Sequence, residues 1–321
     1  MKSSKENCMP KEFKPVKISV VGTICWDKIV HPKGKTSESF GGIAYTILTL
    51  ASLLESKLEV FPVCLVGKDR YQEVIRLFKK NPEINVNGIK SVEQKNNTVT
   101  LTYKAAQSRD EILEGGVPSL SFEQIKPFLE ADYLLVNFIS GWDIGLDTLE
   151  RMKKNTKGKI YLDVHSLTLG KDEKGKRFIR KPKDWEKYAA GCDYLQLNQI
   201  ELETILGRKL SLSEIEPAAR NLLDLGPKGV IITLSDKGCH LAYKSDDRGT
   251  VSKLVKARPV SSMVDTTGCG DVFGAGFLAN LIACDDPVQA ADFANYLAGL
   301  KASFTGLEGL RYFTPLDLEF T

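Results

Sequence analysis

Four short apolar runs, Tyr133 to Phe138, Lys159 to Val164, Asp193 to Leu197 and Gly229 to Leu234, punctuate the second half of the chain. Helical patterns near Leu146–Lys154, Ile200–Leu206, Ile215–Leu225 and Ala290–Phe304 separate or follow them. Strands that are apolar throughout, rather than at alternate positions, are covered on both faces. Strand and helix in repetition therefore predict an α/β fold, with a mostly parallel sheet between helical layers. Lys17 to Val21, ending at Gly22, and Glu59 to Val66, followed by Gly67-Lys68-Asp69, extend the pattern toward the N-terminus. Asn97 to Lys104 (NTVTLTYK) is different: apolar and polar residues alternate, the mark of a half-exposed strand.

The 321 residues suffice for one large α/β domain or two modest ones. No internal repeat or Pro/Ser-rich linker divides them. The 44 basic and 41 acidic residues leave a formal net charge of +3. That balance gives no case for a nucleic-acid or membrane-surface binder. Seven scattered cysteines without a CxxC pair argue against a disulfide framework and a zinc site, and three histidines are too dispersed for a metal centre. No segment has the apolar length to span a bilayer. Residues 1–15 lack the apolar core of a signal peptide and read as a disordered tail, so the expected location is the cytoplasm. Lys171 to Lys183 is rich in Lys and Arg and reads as a solvated loop.

The chemistry points to Asp265–Asp271, DTTGCGD, which runs directly into a small-residue helix. Gly268 and Gly270 let the backbone approach a ligand closely. A helix N-terminus offers unpaired N–H groups and a partial positive charge to an anion. Asp271 in that first turn is either a helix cap or an acid that takes a proton from a nucleophile while the amides hold developing phosphoryl charge.

DTTGCGD followed by such a helix resembles the C-terminal signature of the ribokinase-like (PfkB) family of carbohydrate and nucleoside kinases, with Cys269 where alanine is usual. The resemblance covers roughly residues 17 to 310. It implies a three-layer αβα sandwich over residues 16–321, with a small β-sheet lid from segments near 27–40 and 91–114. It also implies ATP as phosphoryl donor, Mg²⁺, a sugar or sugar-like acceptor and, in many relatives, a homodimer formed through the lid.

Residue by residue, Asp271 is then the general base, with the backbone of Gly268, Cys269 and Gly270 around the transferred group. Asp27, in GTICWD, matches an acid that contacts sugar hydroxyls. Gly41-Gly42 matches the family's N-terminal glycine pair, although Thr46 stands where many members have Asn. Arg109 could reach substrate from the lid. Asn198 and Glu201 match an N-x-x-E pair that organises Mg²⁺ near the triphosphate; the same two residues also read as a helix cap. Thr233, Ser235 and Gly238, in TLSDKG, match a nucleotide-phosphate loop, with Ser235 in place of a glycine. Asn295 matches a position bordering the adenine pocket, and would otherwise be an exposed helical Asn. Asp265, Thr266 and Thr267 match residues that hold a monovalent cation, K⁺, in some members. His165, in DVHS, faces either the cleft or the interior.

Gly34-Lys35-Thr36 is not a P-loop, because Ile29 stands where its first glycine belongs. Two other readings remain. One is a dinucleotide-dependent oxidoreductase, which the glycine spacing at 268, 270 and 274 does not fit. The other is a non-catalytic sugar or nucleoside binder on the same fold.

Overall fold

A computed structural model describes residues 15–30, 34, 36–54, 57–105, 108–260 and 263–314. Most of the expected N-terminal tail, Lys35 of the Gly-Lys-Thr stretch and the side chain of Arg109 lie outside what is described. In chain order the strands are β1 (Val16–Val21), β2 (Ile24–Val30), β3 (Thr36–Gly42), β4 (Leu58–Gly67), β5 (Ile89–Val92), β6 (Thr98–Ala105), β7 (Ser108–Glu114), β8 (Tyr133–Asn137), β9 (Lys159–Asp163), β10 (Leu169–Lys171), β11 (Arg177–Ile179), β12 (Tyr194–Asn198), β13 (Gly229–Thr233), β14 (Cys239–Ser245) and β15 (Gly249–Val255). The helices are α1 (Ile43–Leu54), α2 (Tyr71–Phe78), α3 (Phe122–Ile125), α4 (Leu146–Asn155), α5 (Trp185–Ala190), α6 (Gln199–Leu206), α7 (Leu212–Asp224), α8 (Cys269–Cys284) and α9 (Pro287–Ala302).

Nine strands form the main sheet, in the order β15-β14-β13-β12-β9-β8-β1-β4-β5. All its pairings are parallel except β13–β14 and β14–β15. Successive residues of a strand point to opposite faces, and the two cores follow that rule. Val20, Leu135 and Ile231 pack with α1, α8 and α9 on one face. Val21, Val136 and Ile232 pack with α4, α6 and α7 on the other. This is the expected three-layer sandwich. Helix α8 is buried along most of its length, and small residues let its neighbours close in: a Cβ on Gly276 would lie 2.7 Å from Leu297 Cδ1 of α9. No helix of the described residues is long and apolar enough to cross a membrane.

A separate four-stranded sheet, ordered β3-β2-β6-β7, rises from the carboxyl edge of the main sheet. Only Gly22 and Thr23 separate β1 from β2, and α1 follows β3 at once. Asn96 ties its base: its Nδ2 donates to Ile24 O (3.1 Å) and its Oδ1 accepts from Gly67 N (3.1 Å). The Asp69 carboxylate accepts from Asn96 N (2.8 Å), so the Gly67-Lys68-Asp69 turn anchors this base.

Asp27 lies in this small sheet as an interior residue of β2, opposite Ser39 and Val99. One sequence expectation needs correction: the basic stretch 171–183 is not simply solvated. It contributes to the β10–β11 hairpin, and Arg177 is buried, with Nη1 donating to Ser140 O (2.7 Å). That hairpin docks on the small sheet, where Leu113 N donates to Gly175 O (2.8 Å).

Candidate active site

Parallel strands bring their carboxyl ends to one edge, where α/β sheets bind ligands. Register then places polar residues side by side: Asn137 opposite Asp163, Asp163 opposite Gln196, and Asn198 opposite Thr233. The N-terminus of α8 is fastened onto this row. Gln196 Nε2 donates both to Asp163 Oδ2 (2.9 Å) and to Gly270 O (3.0 Å), and its Oε1 accepts from Tyr161 OH (2.6 Å). Asp271 Oδ1 accepts from Asn137 Nδ2 (2.7 Å), and the residue keeps 5 % exposure. Gly268, the residue before α8, is left-handed at φ +82°. Cys269 N–H is engaged within the turn, donating to Thr266 O (3.2 Å).

Burial controls the charges here. Desolvation raises Asp271 from 3.8 to about 7; the Asn137 hydrogen bond opposes this, and the neighbouring Asp27 charge adds to it. Desolvation raises Asp163 well above its usual value, helped by the charges of Glu201 and Asp271, while the His165 backbone N–H pulls it down. Glu201 is raised chiefly by desolvation too, with Asp271 adding to it and the Asn198 and His165 backbone bonds opposing it. His165 thus acts on both acids through its backbone N–H, and its own φ of 36° is left-handed.

These shifts have a defined sign. An acid whose folded value lies above its unfolded one makes the native state hold more protons near neutrality, so stability falls as pH rises through that interval. The metal-free protein should therefore melt lower at about pH 8 than at about pH 5. A melting temperature that climbs across that range in thermal denaturation would contradict the repulsive carboxylate cluster.

Asn198 and Glu201 form a reciprocal cap on α6: Asn198 Oδ1 accepts from Glu201 N and Glu201 Oε2 from Asn198 N, both at 2.9 Å. The capping reading is therefore met, and the pair still lies at the carboxyl edge. Ser235, just past Thr233 at the end of β13, adopts φ +56°, the left-handed conformation that a glycine would enter without strain. Gly238 crowds β15, where a Cβ would lie 2.1 Å from Val255 O. Asn295 is not exposed: its Nδ2 donates to Val255 O (3.0 Å), binding α9 to the end of β15.

On the small sheet, Asp27 is buried and Cys25 Sγ donates to its Oδ1 (3.1 Å). Gly41 makes room for that carboxylate, since a Cβ there would fall 1.8 Å from Asp27 Oδ2. Gly42 closes β3 at φ +63°, against Thr23 O. Thr46 is wholly buried on α1, its hydroxyl without a hydrogen-bond partner. Arg109 stands opposite Tyr103 in β7. The structure thus gathers Asp271, Asn198 and Glu201 at one edge, with Asp27 near enough for its charge to act on Asp271. A cavity of about 480 Å³ lies elsewhere, between Gly115–Pro118, Trp142 and Arg180.

Sequence reasoning missed Asn137, Asp163, Gln196 and Lys301. Each is a polar residue inside or closing an apolar run, and that was the available signal. Lys301 is fully buried in the last turn of α9.

The pfkB family carbohydrate kinase profile matches residues 18–309. A cytidine kinase of Thermococcus kodakarensis is 26% identical over 262 residues, 81% of this chain and 86% of its own. Among solved structures, a ribokinase of Arabidopsis thaliana complexed with ribose and ATP superposes with a TM-score of 0.74 at 19% identity, covering 96% of this chain and 99% of the other. A pyrophosphate-dependent kinase in the ribokinase family superposes at 0.75 with 18% identity, covering 95% and 100%. At such identities these two likenesses speak for the fold alone.

Proposed function

Because the chain belongs to the pfkB family of carbohydrate kinases, we propose that it transfers the γ-phosphoryl group of ATP to a hydroxyl of a sugar or sugar-like substrate. The observation that carries this reading is the pairing of Asp271 with Asn137 in the first turn of α8. The amide of Asn137 occupies one carboxylate oxygen and leaves the other to accept the proton of the substrate hydroxyl. A carboxyl poised at about 7 can both take and release that proton near neutrality.

Gly268 and Gly270, with the positive end of α8, would hold the charge that develops on the migrating group. Asp27, seated over Gly41, would fix the acceptor by its hydroxyls. The Thr233–Gly238 loop and Asn295 are where the nucleotide would lie. With Asp271 only 5 % exposed, a hydroxyl reaches it after the small sheet lifts as a lid, and closure then excludes water.

The donor set suits Mg²⁺ in a particular way. Asp163, Glu201 and Asp271 repel one another in a buried row, yet no three His, Cys, Asp or Glu side chains among the described residues converge to hold a metal directly. Glu201 and Asn198 would hold such an ion largely through water, as its reluctance to shed hydration favours. Held there, Mg²⁺ would supply positive charge against the negative charge of the donor phosphates.

A nucleoside acceptor is the second reading, favoured by the likeness to a cytidine kinase. The test is an assay over pentoses, hexoses, their phosphates and nucleosides that reads ADP release with ATP as donor and orthophosphate release with pyrophosphate as alternative donor. Turnover that depends on ATP and one acceptor class is expected. Acceptor binding without turnover from either donor would reject the kinase in favour of a binding protein.

A further inference from the structure

Lys301 has none of its surface exposed, and an ammonium taken out of water is costly unless it is compensated. Its Nζ donates to Phe304 O (3.1 Å) and lies 5.4 Å from the Tyr45 ring centre and 5.0 Å from that of Phe304. Burial depresses its pKa, and Cys269, Asp265 and Asp271, each when ionised, pull it back up. All three belong to the DTTGCGD segment. The same helix end also grips that segment through its backbone: Val264 N and Asp265 N both donate to Ala302 O (2.7 and 3.1 Å).

Two further observations show what the charge does there. Asp265 is buried; its Oδ1 accepts from Thr267 N (2.9 Å), while its Oδ2 has no hydrogen-bond partner. Such a carboxylate needs a nearby positive charge. The Tyr45 ring facing Lys301 also closes on the turn, so that a Cβ on Gly268 would lie 2.6 Å from Tyr45 Cδ1. Ammonium, aromatic ring and glycine turn are stacked as one unit behind the start of α8. A soluble cation on Asp265, Thr266 and Thr267 would add a second positive charge to a place that already has one.

We propose that the Lys301 ammonium is the built-in monovalent cation of the Asp265–Gly270 turn, balancing Asp265 and fixing the turn's amides, so that the protein needs no K⁺. Lys301 is a positioning residue, since it acts through the turn. The rate consequence rests on the kinase reading above, but the binding consequence does not.

Two measurements test it. In thermal denaturation, the native protein should melt at the same temperature in potassium and tetramethylammonium chloride of equal ionic strength, whereas Lys301→Ala, with the ammonium gone and space opened, should be stabilised by K⁺. In the kinase assay, the native rate should be alike in both salts. Lys301→Met, which keeps the stem without the charge, should lose about tenfold or more in kcat with little change in acceptor KM, and K⁺ or ethylammonium should return part of the rate to Lys301→Ala. Stabilisation or activation of the native protein by K⁺ overturns the proposal, and so does a Lys301→Met variant of native kcat. If no acceptor is phosphorylated at all, the kinase reading fails, and the melting comparison on the native protein still decides this one.

Discussion

Asp271→Asn is expected to lower kcat by at least ~10²-fold, the scale on which a positioned general base contributes, while the protein stays folded. The amide oxygen can still accept from Asn137 Nδ2, which lies 2.7 Å from the native carboxylate. The substitution also removes a charge from a buried site, so the melting temperature near neutrality should hold or rise. What is lost is the ability to take a proton. The same argument fixes a pH profile. Desolvation lifts the native carboxyl to about 7, and only its ionised form is a base, so the native rate should climb with pH through that region. The residual rate of Asp271→Asn should lack that limb. Steady-state kcat measured against pH for both proteins checks the two statements together; a variant with native turnover removes Asp271 from the chemistry.

Gly268→Ala should be among the most damaging single methyl additions in the protein. The residue sits at φ +82° immediately before α8, a conformation that costs an L-residue roughly 1–2 kcal/mol. The new Cβ would also lie 2.6 to 2.8 Å from three atoms of the Tyr45 ring. That ring is fully buried and backed by Lys301, so it cannot swing aside. Overpacking of this kind adds about 1–3 kcal/mol. Gly207, which ends α6, provides the control: its φ is +73°, but nothing lies within 4 Å of its added Cβ. Gly207→Ala should therefore carry the conformational cost alone. Urea unfolding of both variants separates the terms. Equal losses at the two positions would refute the steric account of the Asp265–Asp271 turn.

Much of this architecture is legible in the residues. The apolar runs from Tyr133, Lys159, Asp193 and Gly229 are strands, because burial on both faces of a parallel sheet leaves no room for alternation. DTTGCGD does open a helix, and its acid does lie beside the carboxyl edge of the sheet. Less could be read where meaning depends on register. Asn137, Asp163 and Gln196 are single polar residues in apolar runs, and only the pairing of β8, β9 and β12 sets them in a row. The lid segment near 27–40 was legible, but not that β2 begins at Ile24, two residues after the Gly22 that ends β1. The Lys171–Lys183 stretch looked solvated because its charges hide one buried member, Arg177, whose burial against Ser140 is tertiary. Lys301 carried a signal, one of two charges in an otherwise apolar helix, but its companions Asp265 and Tyr45 lie far away in sequence.

The docked hairpin has a consequence for how fast the small sheet can swing. Its last strand is clasped to the body by the Leu113–Gly175 backbone bond, and Arg177 Nε stands 3.7 Å from Glu111 Oε1 across the same seam. Any lifting of the sheet must unfasten that clasp or drag the hairpin along. Deuterium uptake at the Leu113 amide is thus a clock for the opening itself, readable before any substrate is known.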